Sequence, residues 1–192
     1  MIRTGIESLL TERPVYVAFQ DEARFGRIND PRRCWAMSGL RPVAHKQIIR
    51  EYTYVYSAFA PMSGGMDSFI LPDMYADTMG VFLDEVSKRH PNEIILMIMD
   101  GAPCHRAGGL RIPENIRILH LPPYSPQLNP SENMWDEMRE KAFANRSFSS
   151  MKDLEEHLCE TLRAYENKPD TVQSICKWKW ISDAIHSFFI AS

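Results

Sequence analysis

Residues 13–22, RPVYVAFQDE, alternate Val15, Val17 and Phe19 with Tyr16, Ala18 and Gln20. This period of two in β-prone residues predicts a strand that ends on two acids. The runs EYTYVYSAFAP (51–61) and MDSFILPD (66–73) repeat the signature around Ser63, Gly64 and Gly65, which predicts a hairpin. The period then changes. From Ala76 to Arg89 the apolar positions Met79, Phe82, Leu83 and Val86 fall at helical spacing, and Pro91 stops the run. EIILMIMD (93–100) is apolar on both faces, as a central strand covered by helices would be, and NIRILHL (115–121) predicts a shorter strand after it. Beyond Pro130 the chain reads as helices over Pro130–Phe143, Met151–Glu166 and about Thr171–Phe188, with Pro169 separating the last two. Three strands, a helix, two strands and then helices define an α/β domain, its sheet antiparallel on one side and parallel on the other.

With 192 residues, 44% of them apolar, the chain is sized for one domain with a core of its own. Its four cysteines, Cys34, Cys104, Cys159 and Cys176, are scattered without a paired spacing, which argues against a disulfide framework or a structural zinc site. They read as reduced thiols of a cytoplasmic protein. The longest strictly apolar run, Ile94–Met99, is far too short to span a membrane, and the sequence does not open on a positively charged start followed by an apolar stretch. The formal net charge of −3 would disfavour a polyanionic partner if it were evenly spread. It is not. Between Ala23 and Arg50, seven basic residues (Arg24, Arg27, Arg32, Arg33, Arg41, Lys46 and Arg50) face the single acid Asp30. This basic stretch is expected between the first two strands, either as a DNA-binding surface or as a solvated loop.

The candidate chemistry lies in three acids. Asp21 and Asp100 each follow an apolar strand, where either could simply mark an exit into solvent. Glu22 is expected on the opposite face from Asp21. Glu132 sits in LPPYSPQLNPSENMW (121–135), where Asn129 as N-cap, Pro130 at the first helical position and Glu132 two positions later have the spacing of a capping box. If the strand ends lie side by side, the same helix start would add a third carboxylate. Three convergent acids are hard oxygen donors suited to Mg²⁺ or Mn²⁺.

QDEARFG, MDGAPCH and LPPYSPQLNPSENMW resemble, in order, the three acid-bearing motifs of DDE transposases of the Tc/mariner superfamily, in particular the bacterial insertion-sequence branch. CWAMSGLRPV (34–43) resembles that family's segment after the first strand, and the similarity runs from about Val15 to Phe143. The resemblance implies a ribonuclease H-like fold, with a mixed central sheet flanked by helices. It also implies a catalytic role for Asp21, Asp100 and Glu132 as ligands of two Mg²⁺ or Mn²⁺ ions, and a reaction that cleaves DNA at transposon ends and transfers the 3′-hydroxyl into target DNA. The chain departs from the family pattern in a shorter interval between Asp100 and Glu132, and in Gly101, Gln127 and Ser131, none of which removes an acid.

On this reading residues 1–192 form one catalytic domain, with 1–13 the remnant of an N-terminal linker and 144–192 a helical tail. The implied partners are DNA, a second copy of the chain and a helix-turn-helix module that is separate or missing. Arg24, Arg27, Arg32, Arg33, Arg41 and Lys46 are the candidate DNA contacts. His105 joins them as a group that would orient a phosphate or a carboxylate, with packing or capping as its alternative. Trp35 and Trp135 read as packing residues, and KWKW (177–180) as a DNA contact or as a helix turning its tryptophans inward. Two other functions remain open, a transposase remnant acting as a DNA-binding or assembly protein, and another ribonuclease H-like nuclease.

Overall fold

The computed structural model describes residues 13–29, 31–43, 45–101 and 110–190. A five-stranded sheet carries β1 (Val15–Ile28), β2 (Ile48–Phe59), β3 (Met66–Leu71), β4 (Ile94–Met99) and β5 (Ile116–His120) in the order β3-β2-β1-β4-β5. The first three strands pair antiparallel, while β4 lies parallel to β1 and β5 parallel to β4. This is the mixed sheet of the ribonuclease H-like fold.

Helix α1 (Ala76–Arg89) covers one face of the sheet. Its Met79, Phe82, Leu83 and Val86 bury against Ala18, Tyr56, Ala58, Ile95 and Met97. The opposite face carries α2 (Ser131–Met138), α3 (Met151–Glu166) and α4 (Pro169–Cys176), whose Trp135, Met138, Leu158, Leu162 and Val172 pack on Ala23, Phe25, Val55 and Phe59. Each such large side chain contributes about 1.5–3 kcal/mol by leaving water. A final helix, α5 (Lys179–Ile190), follows. No described helix is long and apolar enough to cross a membrane.

Four expectations change. The first strand does not stop at the acids. It runs on to Ile28, because Ala23 and Phe25 continue the inward alternation and every residue from Phe19 to Gly26 has a partner on β2. Arg24 and Arg27 are therefore strand residues, and only residues 29–47 form the connection to β2. The helix expected over Pro130–Phe143 is α-helical only to Met138 and then widens into a π-turn, Arg139–Phe143. The last helix is two, broken at Lys177 and Trp178, and Pro169 opens α4 at a position that needs no N–H donor. Trp35 is fully exposed, whereas Trp135 is buried. Trp178 and Trp180 lie 6.4 Å apart, with Trp180 41% exposed and edge-on to Phe19.

Candidate active site

The site is built on β1. Even-numbered residues of this strand, Tyr16 and Ala18, face α1, and odd-numbered residues, Ala23 and Phe25, face α2. Asp21 shares the α2 face. Its Oδ2 accepts a hydrogen bond from Trp135 Nε1 at 3.2 Å, and its Oδ1 accepts one from the Glu22 backbone N–H at 3.0 Å. Glu132 stands one turn before Trp135 on the same side of α2. The start of that helix is fastened to β1 by Ser131 Oγ, which donates to the Phe19 carbonyl at 3.4 Å.

Asp100 follows the last residue of β4. The parallel pairing Phe19 with Ile98 sets it level with Asp21 on the neighbouring strand. The His120 ring, from β5, contacts the Asp100 carbonyl at 3.0 Å. Asp21, Asp100 and Glu132 together line a cleft of 430 Å³, walled by the proline-rich segment from Leu121 to Pro126 and by Asn129. On its rim Tyr124 is fully exposed and holds a left-handed backbone, φ 57°, a conformation that costs a non-glycine residue about 1–2 kcal/mol.

The capping account of Glu132 is only half realised. Asn129 Oδ1 accepts from the Ser131 N–H at 3.2 Å, as a cap does. The return bond is missing, because the Asn129 N–H already donates to the Pro126 carbonyl at 2.9 Å. Glu132 instead acts on Asp21 through charge. Burial, then the neighbouring Glu22 and Glu132 carboxylates, push the Asp21 carboxyl up to about 7, against smaller opposing effects of its two hydrogen bonds. Glu22 does stand on the other face, where it accepts from Gln20 Nε2 at 3.1 Å, yet its charge is still felt at Asp21.

The other expected residues lie away from this cleft. Arg27 has its donors committed inside the fold, to Glu51 at 2.6 Å, to Phe148 O at 3.0 Å and to Ser149 O at 2.7 Å. Arg24 is exposed, its guanidinium 5.0 Å from the Tyr52 ring centroid. Arg32, Arg33, Arg41 and Lys46 are exposed on the 29–47 connection. The base of that connection is closed by Asn29, which accepts from the Gln47 N–H at 2.7 Å and donates to His45 O at 2.8 Å. His105, Cys104 and Asp30 lie outside the described residues. Sequence reading assigned Trp135 to packing and overlooked its polar edge, which the three-residue step from Glu132 would have revealed.

A ribonuclease H-like sheet that gathers acids from two adjacent strands and a following helix defines a class of nucleic-acid-processing catalytic domains. The family described as DDE superfamily endonuclease matches residues 16–155, and the chain belongs to that family of enzymes. It is 31% identical over 130 residues, 67% of this chain and 96% of the relative, to the uncharacterized protein y4pE/y4sA of Sinorhizobium fredii (strain NBRC 101917 / NGR234). Among solved structures it is similar to Mos1 transposase in a paired-end complex with the left transposon end, with TM-score 0.59, 17% identity and coverage of 90% of this chain and 56% of that one. The Mos1 mariner paired-end complex with Mn gives TM-score 0.59 at 19% identity, over 88% of this chain and 55% of that one. At these identities the likeness is one of fold. The chain spans little more than half the length of those transposase chains.

Proposed function

We propose that this domain is the catalytic part of a transposase, cutting DNA strands at transposon ends and joining the freed 3′-hydroxyl to target DNA. The observation that carries the reading is the convergence of Asp21, Asp100 and Glu132 on one cleft, with Asp21 held near its surface by Trp135. Proximity of three carboxylates is costly unless a cation relieves it. The Asp21 carboxyl is raised by its burial first, then by Glu22, and by Glu132 from within the cleft.

The donor set fits Mg²⁺ or Mn²⁺, since every candidate ligand is a carboxylate oxygen. No group of three His, Cys, Asp or Glu side chains among the described residues is already drawn together tightly enough to hold an ion. Asp21 is the fixed member, and Asp100 and Glu132 are exposed side chains at the cleft. Asp21, Asp100 and Glu132 would together hold the ions, which supply activation of the attacking oxygen and stabilisation of the leaving one in an in-line displacement at phosphorus. The protein's own work is positional. Trp135 orients one Asp21 oxygen and the Glu22 backbone N–H the other. Ser131 ties the helix bearing Glu132 to the strand bearing Asp21. The proline-rich wall limits how far the substrate strand can shift. The relatives crystallised as Mos1 complexes with transposon-end DNA and with Mn support DNA and a divalent ion as the partners. A helix-turn-helix module elsewhere and a second copy of the chain belong to the same proposal.

The test is nicking of plasmid DNA by the purified chain. Mg²⁺ or Mn²⁺ should support strand cleavage, and Ca²⁺ should permit binding with little turnover, because its coordination is looser than two-ion chemistry tolerates. Undiminished cleavage in excess chelator would overturn the metal mechanism.

A further inference from the structure

A second cleft, of 210 Å³, lies beside the distal half of β1, the π-turn after α2 and the turn leading to Phe148. Four arginines line it, Arg24, Arg32, Arg139 and Arg146. They come as two pairs more than a hundred residues apart in sequence, which only the fold unites. Its floor is aromatic. Phe25 and Phe143 lie 4.9 Å apart by ring centroid, with Phe148 5.8 Å from Phe143. The guanidinium of Arg139 stands 5.7 Å from the Phe25 ring centroid.

The counter-charges are weak. Asp136 is 3.8 Å from Arg139 and Glu140 is 3.9 Å from Arg32, both at the outer limit of an ion pair, and among the described residues no acid pairs with Arg24 or Arg146. Arg146 instead contacts His157 Nδ1 at 3.3 Å. The surplus positive charge stays anchored because Asn145 grips the Arg32 backbone, accepting from its N–H at 2.8 Å and donating to its carbonyl at 3.1 Å. An arginine cluster held this way is built for an anion, and the planar guanidinium fork matches phosphate oxygens better than an ammonium does. The volume falls below the ~300–1,000 Å³ of small-molecule sites, which suits one charged group of a larger ligand.

We propose that this cleft seats a backbone phosphate of the same DNA strand whose scissile phosphate enters the acid cleft. The proposal rests on the endonuclease reading above. Both clefts are lined by β1, the acid cleft also by Glu132 of α2 and the arginine cleft by Arg139 and Phe143 of the π-turn that continues α2. From Asp21 to Phe25 is four strand residues, about 13 Å at 3.3 Å each. From Glu132 to Arg139 is seven residues, about 10 Å at 1.5 Å each. At about 3.4 Å of axis per phosphate, this separation corresponds to three or four nucleotides. The arginine cleft would therefore fix the strand's register relative to the acids without reading its bases.

The experiment compares the wild-type chain with Arg139→Gln/Arg146→Gln, with Arg24→Gln alone, and with Lys88→Gln/Lys168→Gln as an equal loss of charge elsewhere. Thermal unfolding is followed first, and the exposed Arg24→Gln serves as the informative variant if the double one fails to fold. Binding to a short DNA duplex is measured across a salt series. The cleft variants should lower the slope of log affinity against log salt by about 1, with the lysine pair near the wild-type slope. Equal slopes for all variants, or an equal drop for the lysine pair, would overturn the proposal. In the second readout, single methylphosphonates, which remove one phosphate charge, are scanned around each nick made with Mn²⁺. Interference three or four nucleotides from the cut in wild type, lost in the cleft variants, is the expected result. Nicking with no such coupling sinks the arginine cleft alone. A salt-slope effect in a protein that never nicks keeps the cleft and sinks the endonuclease reading.

Discussion

Replacing Asp21 with asparagine should make the metal-free protein more stable at pH 8 and leave it almost unchanged at pH 4. The carboxyl is displaced from its ordinary 3.8 to about 7, by burial first and by Glu22 and Glu132 after it. Near pH 4 the unfolded carboxyl is about half ionised and only a small part of the penalty is present, and well below that pH it is protonated in both chains and contributes nothing. As pH rises toward 7 the unfolded chain ionises while the folded one does not, so stability falls, and above 7 the full penalty is in place. At about 1.4 kcal/mol per pH unit the displacement sets a ceiling of about 4 kcal/mol. Relaxation and water entry around a cleft-facing group reduce this to about 1–3 kcal/mol. The asparagine oxygen can still accept from Trp135 Nε1, while the bond from the Glu22 N–H to the second oxygen is lost. For a chain of this length a gain of 2 kcal/mol corresponds to a rise of about 4–8 °C in Tm. The assay is thermal unfolding with chelator at pH 4 and pH 8. Adding Mn²⁺ at pH 8 should then stabilise wild type but not the variant. An equal gain at both pH values, or none at pH 8, would refute the electrostatic account of this site.

Two further predictions concern the rest of the fold. The His90 ring nitrogens contact Glu93 at 2.6 Å and Asp67 at 2.9 Å. Burial disfavours its charge, yet these hydrogen bonds outweigh burial and raise its pKa. Its contribution is complete below about 6.5 and is lost as pH rises through the folded value, so stability should fall by at most about 1.4 kcal/mol per pH unit on the alkaline side. His90→Gln should remove that slope in unfolding titrations, and a slope that persists would show another group responsible. Gly64 has φ 76°, and an added Cβ would stand 2.2 Å from the Pro169 carbonyl oxygen. Gly64→Ala should therefore cost about 2–4 kcal/mol in denaturant unfolding. Gly39→Ala, at φ 88° with nothing within 4 Å, should cost only the backbone strain, about 1–2 kcal/mol. Equal losses at the two glycines would contradict the role assigned to the Gly64 contact.

Elements with their own periodicity and stop signals were legible in the sequence. Helix α1 begins at Ala76 and ends at Arg89 as its apolar spacing and Pro91 predict. Helix α3 begins at Met151, where the Ser150 side chain accepts from the Asp153 N–H. What tertiary contacts decide was not legible. Asp21 and Glu22 read as a strand end, yet pairing with β2 carries the strand through them, because one acid opens onto a cleft and the other faces away from it. The π-turn after Met138 has no signature in composition, and it is this turn that brings Arg139 beside Arg24. The three acids were legible as motifs, and their shared cleft follows from the β1–β4 register and from the Ser131 hydrogen bond, neither of which a linear pattern encodes.

The most direct test of the central claim is DNA nicking with Mn²⁺ by Glu132→Gln, with metal-free unfolding measured on the same preparation. Glu132 makes no capping bond to Asn129, whose N–H is already donated to Pro126. The folded state should therefore be as stable as wild type within about 1 kcal/mol, or slightly more stable through relieved repulsion on Asp21. Nicking should nevertheless fall by orders of magnitude, because a neutral amide holds a hard divalent ion far less well than a carboxylate. Retained nicking would remove Glu132 from the metal site, and a collapsed fold would make its role structural.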